Sequence, residues 1–422
     1  MQIFKQWESD IRGYCRLYPT VFTRASNARQ VDENGKSYID FFAGAGVLNF
    51  GHNNEHMKKA LIEFIQRDGV AHSLDMHTDV KRDFIAAFVD TILKPRGWNH
   101  KLQFMGPTGS NAVEAALKLA RKVTGRHDVV AFEHGFHGMT LGSLACTANN
   151  YFREAAGVPL GHVIRQPFGS EDVPLKRCLE YVDELRAMFE DSSSGLAKPA
   201  AFVLEPIQAE GGVHVARAQW LKAISELAED LGALVIYDDI QAGCGRTGRY
   251  FSFDEAGVVP DIVTLAKGLG GFGTAIAMAL VKPEYDSYWQ PSEHTGTFRG
   301  QGFSFVAGRE ALRYFENDEF GQRVESHGRY MRQRLDALVD SHGGAGFAVR
   351  GRGMMQGLDV GSGELASAIL AESFRSGLLI GTCGTGGRVL KLIPPLTIDD
   401  DDLTAGLDIL EQATTKAHRE AA

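Results

Sequence analysis

The sequence predicts an α/β fold: a mostly parallel sheet wrapped by helices, joined to a smaller α+β domain. Three observations lead there. From about residue 100, short apolar runs alternate with helical patterns, as parallel strands with crossover helices do. The two ends of the chain read differently, with a hairpin near the amino terminus and long amphipathic helices beyond residue 305. At 422 residues the chain exceeds one small domain, so a large domain with a smaller companion is expected.

Taken in order, residues 1–30 read as an irregular arm with a short helix. NARQVDENGKSYIDFFAGAG, 27–46, is a hairpin turning at Asn34-Gly35. GHNNEHMKKALIEFIQ, 51–66, starts a helix after an Asn cap, and KRDFIAAFVDTIL, 81–93, is a second amphipathic helix. Strand candidates follow at LQFM (102–105), DVVAFEH (128–134), AAFVLEP (200–206), ALVIYDD (233–239), DIVTLA (261–266) and AIAMALVKP (275–283). SSSG at 192–195 is a surface loop. FVAGREALRYFEN and VESHGRYMRQRLDALVD are long helices, followed by AVRGRGMMQGLDV and a terminal helix. Residues 51–304 are expected to form the large domain. Residues 1–50 and 305–422 are expected to join as the small one.

Bulk properties narrow the function. The net charge of −9 argues against nucleic acid as a partner. Five scattered cysteines form neither a disulfide framework nor a CxxC pattern, which suits a reducing compartment and the cytoplasm. The start, MQIFKQWESDIRGY, is too polar for a signal peptide, and no run approaches the roughly 20 apolar residues of a membrane span. There is no GxSxG elbow, no GxxxxGK[ST] loop, and no HExxH spacing or other metal pattern among 14 histidines.

Chemistry gathers at strand ends. GALVIYDDIQAGCGRTG delivers Asp238 and PDIVTLAKGLGG delivers Lys267. Ligands of parallel sheets collect at the carboxyl ends of strands. A lysine and a carboxylate there suggest pyridoxal phosphate, which a lysine holds covalently while an acid keeps its ring nitrogen protonated. A strand-end Asp also caps helices, and most lysines are solvated. GPTGSNAVEAALKLARK, 106–122, runs a glycine turn into a helix. Gly109, Ser110 and Asn111 there could receive a phosphate, or Ser110 and Asn111 could simply cap the helix. In EHGFHGMT, Phe136 could stack on a heteroaromatic ring and His137 contact cofactor or substrate; a core Phe and a surface His are the plain alternative. In EPIQAEGG, Glu205 suits a structural salt bridge, and Glu210 a gate for substrate charge. SEHTGTFRG offers Thr297 and Arg299 to anions, or is a surface loop.

Together these segments resemble the class III, or ω-type, aminotransferases of fold type I. NGKSYIDFFAGAGVLNFGHNN, FHGMTLGSLA, EPIQAEGG, DDIQAGCGRTGRYFSF, PDIVTLAKG and HTGTFRG carry the likeness over nearly the whole chain. A narrower likeness, through PTVFTRASNAR, GPTGSNAVEAA and EHTGTFRG, is to the branch that makes 2,4-diaminobutyrate for ectoine synthesis. The resemblance implies a large domain with a seven-stranded sheet and pyridoxal 5′-phosphate as cofactor. It implies Lys267 and Asp238 as catalytic residues, with Gly109, Ser110, Asn111, Phe136, His137 and Gln241 around the cofactor. It implies a homodimer or higher homo-oligomer in which Thr297 reaches the neighbour's phosphate. Glu210 matches the family's gating glutamate. The arginine expected before PPL is here Lys391, a point charge without a bidentate fork, with Arg388 three residues earlier. The implied substrates are glutamate with 2-oxoglutarate, and aspartate semialdehyde with diaminobutyrate. Another ω-aminotransferase, acting on ornithine, 4-aminobutyrate or another diamine, or a racemase or decarboxylase of the same fold, is the alternative.

Overall fold

The apolar runs of the middle of the chain pair into a seven-stranded sheet. The computed structural model describes residues 1–421. Across the sheet the strands run Lys101–Phe104, Met278–Val281, Ile262–Leu265, Leu234–Asp238, Ala201–Leu204, Val129–Phe132 and Val163–Gln166. Met278–Val281 is antiparallel to both of its neighbours, and the other pairings are parallel. Six of these strands match apolar runs in the sequence. Val163–Gln166 has no such run, because this edge strand is only half-buried and carries Arg165 and Gln166.

Alternation along each strand sorts side chains onto two faces. Val130, Phe132, Phe202, Leu204, Val235, Tyr237, Val263 and Leu265 join one core. Val129, Ala131, Ala201, Val203, Leu234, Ile236 and Ile262 join another, with Ala112, Ala116 and Leu119 of helix Gly109–Thr124. Asp238 continues the second series, and so points toward the side of that helix. Small alanines let the helix lie close to the sheet.

The ends of the chain meet. Strands Phe22–Ser26, Arg29–Asp32 and Ser37–Asp40 form an antiparallel ribbon whose last member pairs in parallel with Leu378–Leu379. The hairpin at Asn34-Gly35 is thus present, and the expected irregular arm contributes a further strand to it. The expected helix over 81–93 begins earlier, at Asp79 under a Thr78 cap. It widens into a π-turn over Val89–Leu93. Strands Ala348–Arg352, Met355–Asp359, Val389–Leu392 and Gly381–Cys383 make a second antiparallel sheet. Helices Glu319–Ser341, Gly363–Arg375 and Asp400–Ala421 accompany it, and Met331, Leu358, Leu390 and Leu407 share its core. Arg246, fully buried, donates to the carbonyls of Met354 (3.4 Å) and Pro394, tying the middle of the chain to this part.

Two consequences of this packing are measurable. Trp220 is fully buried and meets Phe132 and Phe168 edge-on, with centroids 4.9 and 5.0 Å apart. Gly169 leaves it room, since a Cβ there would lie 2.3 Å from the indole. Trp220→Ala is expected to cost about 3–5 kcal/mol in chemical denaturation. A loss below about 1 kcal/mol would show that the cavity refills.

Asp239 points away from Asp238 into the interior, where Ser252 N–H (3.0 Å) and Ser252 O–H donate to it. Burial pushes its carboxyl up to about 7, even though Ser252 favours the charged form. The unfolded chain releases that proton near pH 4. The folded chain's proton therefore adds stability below about pH 4, and the gain is lost as pH rises toward 7. Asp239→Asn can keep both Ser252 contacts. It is expected to flatten the fall in Tm between pH 4 and 7, and equal slopes in the two proteins would contradict this.

Candidate active site

The face of the sheet that carries Asp238 ends in a cavity of about 340 Å³, within the range of small-ligand sites. Helix Gly109–Thr124 aims its first turn at it. Thr108, rather than Ser110 or Asn111, caps this helix, its Oγ1 accepting from Asn111 N–H at 3.3 Å. Ser110 Oγ instead accepts from Met139 N–H at 3.1 Å, locking the 136–139 loop to the helix start. Gly138, at φ 130°, permits that contact, because a Cβ there would sit 2.1 Å from Ser110 Oγ. Gly109 is needed too, since its Cβ would come within 2.9 Å of Ile240. Thr108, Gly109 and Ser110 line the cavity together, so free N–H groups, hydroxyls and a helix dipole converge there as an anion seat.

Asp238 and Lys267 both line this cavity. His137 is buried rather than on the surface, and its Nδ1–H donates to Asp238 Oδ2 at 2.9 Å. Phe136, half-buried, contributes a ring to the wall. Lys267 sits at φ 48°, a left-handed conformation that is strained for a lysine and collects at functional sites. Burial pulls its ammonium down to about 8, against the opposing pull of Glu210.

Among the described residues Glu205 forms no salt bridge, contrary to expectation. Its Oε1 accepts from Phe136 N–H at 2.8 Å, and Oε2 accepts from Ala209 N–H at 3.4 Å. Burial, with Asp238 nearby, holds its carboxyl well above the usual range. Glu210 is different. Its Oε1 accepts from Lys391 Nζ and from Gln241 Nε2 (3.1 Å). Burial pushes Glu210 up, but Lys391 and Lys267 outweigh it and hold the carboxyl below its usual value. Lys391 also donates to Gln241 Oε1 at 3.3 Å and is 2% exposed, so the lysine at the family's arginine position stands just behind the cavity wall.

Gly109, Ser110, Phe136, His137, Glu210, Asp238, Gln241 and Lys267 thus converge. Asn111, Thr297 and Arg388 do not reach the cavity of this chain. Asn111 Oδ1 lies 3.2 Å from His294 Nε2. Thr297 stands on an exposed loop, where its carbonyl accepts from His72 (2.7 Å). Arg388 pairs with Asp359 at 3.1 Å. Thr108 is a site residue that sequence reasoning missed, although a threonine before a helical pattern is a cap signal. Tyr14, on the amino-terminal arm, does not line the cavity and is exposed.

The set fits pyridoxal phosphate. It offers one amine for an aldehyde, one carboxylate for a ring nitrogen, one aromatic face and one anion seat. Comparisons with known proteins point the same way. The family described as Aminotransferase class-III matches residues 13–414. The chain is 48% identical over 413 residues to a diaminobutyrate–2-oxoglutarate transaminase of Halalkalibacterium halodurans, covering 98% of this chain and 96% of that protein. It is 47% identical over 420 residues to the Halomonas elongata protein of the same name, covering 99% of each. An ornithine aminotransferase structure from Toxoplasma gondii superposes with a TM-score of 0.85 at 25% identity, over 99% of this chain and 95% of that one. The chain belongs to the class III aminotransferases.

Proposed function

We propose that this chain transfers an amino group from L-glutamate to L-aspartate 4-semialdehyde, reversibly, giving 2-oxoglutarate and L-2,4-diaminobutyrate, with pyridoxal 5′-phosphate as cofactor. The observation that carries the reading is the meeting of Lys267 and Asp238 across one cavity, in a chain that aligns end to end with transaminases of that name. When bound, the cofactor supplies an electron sink for the substrate carbon that loses its proton.

The chain's own residues divide the remaining work. Lys267 Nζ would hold the cofactor's aldehyde carbon at rest. Once the substrate amine has taken its place, Lys267 Nζ would take the proton from the reacting carbon as general base and deliver it as general acid to the carbon across the intervening nitrogen. Its lowered pKa, about 8, leaves a neutral fraction near neutrality. Asp238, steadied by His137, would pair with the ring nitrogen and keep it protonated. Thr108, Gly109 and Ser110 would receive the phosphate, Phe136 would stack on the ring, and Gln241 would contact the side of the ring hydroxyl. Lys391 is the cation for an α-carboxylate. Glu210 covers it when an ω-amine reacts and no carboxylate is beside the reacting carbon.

The functional unit is a homodimer or larger homo-oligomer, with Thr297 directed to the neighbouring subunit. Trp7, Ile11, Met76 and Phe298 are exposed on the single chain, and a neighbouring subunit would cover such side chains. Residues 51–304 act as the large domain, and 1–50 with 305–422 as the small one. All five cysteines are unpaired, which supports a reducing, cytoplasmic setting.

Lys267→Ala is expected to abolish the absorbance of the lysine-bound cofactor and to lower turnover by about 10⁴-fold or more. Retained transfer would refute the assignment. With glutamate as donor, aspartate semialdehyde should be the preferred acceptor. No turnover of it would sink the substrate claim and leave the reaction class standing.

A further inference from the structure

Between strand Ser37–Asp40 and the cavity residue Val47, four consecutive residues are left-handed. Ala43, Gly44, Ala45 and Gly46 have φ of 47°, 60°, 58° and 88°. Glycine takes this conformation freely, but an alanine is strained there. Such strain persists only where the surroundings over-determine the backbone, and here Asp40, fully buried, does so. Its Oδ1 accepts from Phe42 N–H (2.9 Å) and Ala43 N–H (2.7 Å). Its Oδ2 accepts from Gln30 Nε2 (2.9 Å) and His52 Nε2 (2.8 Å). Four donors fix the carboxylate, and the carboxylate fixes the entry to the turn.

The turn ends against Gln241. The Ala45 carbonyl accepts from Gln241 Nε2 at 2.7 Å, and a Cβ on Gly46 would lie 3.3 Å from Gln241 Cγ. Gln241 Nε2 also donates to Glu210 Oε1 (3.1 Å), while Gln241 Oε1 accepts from Lys391 (3.3 Å). Each end of the amide is therefore committed. A flipped amide would set its oxygen against the Ala45 carbonyl and the Glu210 carboxylate, with no proton to share. While Glu210 lies over Lys391, Ala45 and Glu210 hold the orientation together. When Glu210 moves aside, the Ala45 carbonyl holds the Nε2 end alone.

We propose that Asp40 is a positioning residue for the Glu210 gate. It holds the left-handed turn, the turn places the Ala45 carbonyl, and that carbonyl keeps the Gln241 amide turned toward the position to which Glu210 returns. This rests on the reading of Glu210 as the cover of Lys391 given above. Asp40 does not line the cavity, so its influence passes through the turn. Closure matters to one half-reaction. Diaminobutyrate reacts at C4 with Glu210 over Lys391, whereas glutamate needs Glu210 aside. A loosened turn therefore handicaps the ω-amine and leaves glutamate largely untouched.

The test follows the absorbance of the lysine-bound cofactor in single half-reactions with diaminobutyrate and with glutamate, in a double-mutant cycle of Asp40→Ala and Gln241→Ala. Asp40→Ala should lower the ratio of the diaminobutyrate to the glutamate rate constant by about fivefold or more, the scale of one hydrogen bond. In the Gln241→Ala background the same substitution should leave the ratio where Gln241→Ala put it. Equal factors on both half-reactions, the mark of a merely structural role, would overturn the proposal, and so would full additivity in the cycle. If Asp40→Ala does not fold, Asp40→Asn decides by the same ratio, since it offers one acceptor oxygen where the wild type has two. Wild-type enzyme that reacts with glutamate but not with diaminobutyrate would sink the substrate reading. The ω-amine it does accept, ornithine or 4-aminobutyrate, then takes diaminobutyrate's place in the ratio, which keeps the two failures distinct. Acceptance of no ω-amine would remove the gate and the proposal with it.

Discussion

Glu210 is the side chain on which the arrangement of the site depends. Its carboxylate accepts from Lys391 of the second sheet and from Gln241 just past the Asp238 strand. Its backbone carbonyl accepts from Gly384 N–H at 2.9 Å, and Gln241 reaches on to the carbonyl of Ala45 at 2.7 Å. Stretches remote in sequence therefore converge on one charge. A buried pair of this kind adds little net stability, but removing one partner leaves the other charge stranded, at about 3–5 kcal/mol. The pair is better understood as a constraint on geometry than as a source of stability.

That constraint separates two lysines of the same site. Burial lowers the pKa of both. For Lys391, direct contact with Glu210 outweighs burial and raises its ammonium pKa. Lys267 has Glu210 within Coulomb range but no hydrogen bond to it, and burial wins, leaving it at about 8. One carboxylate thus keeps a permanent cation behind the wall and leaves a proton-exchanging amine in front of it. Proximity to a single oxygen decides which lysine does which.

The legible part of this site was the part that local rules govern. Apolar runs ending in Asp238 and Lys267 announce the ligand-bearing edge of a parallel sheet, and glycines beside a helix start announce an anion seat. The strand Val163–Gln166 escaped because half-burial removes the apolar signal. Glu205 was misread because its partners are backbone N–H groups, which no residue type advertises. The junction of Lys391 with Glu210 joins positions 181 residues apart. Only the resemblance to a family, and not spacing, could bring those two into one thought.

The DD pair at 238–239 shows where local reasoning could go further than residue type. Both carboxylates follow the same apolar run, and by composition they are interchangeable. Strand alternation makes them opposites. Leu234 and Ile236 face helix Gly109–Thr124, so Asp238 emerges over the helix start, where His137 meets it across the cavity floor. Val235 and Tyr237 face the other core, so Asp239 enters the interior, where Ser252 answers it with its N–H and O–H. A carboxyl in that setting keeps its proton to about pH 7 and serves the loop that returns through Arg246. The period of two along the strand, counted from its last apolar residue, is enough to tell the functional aspartate from the structural one.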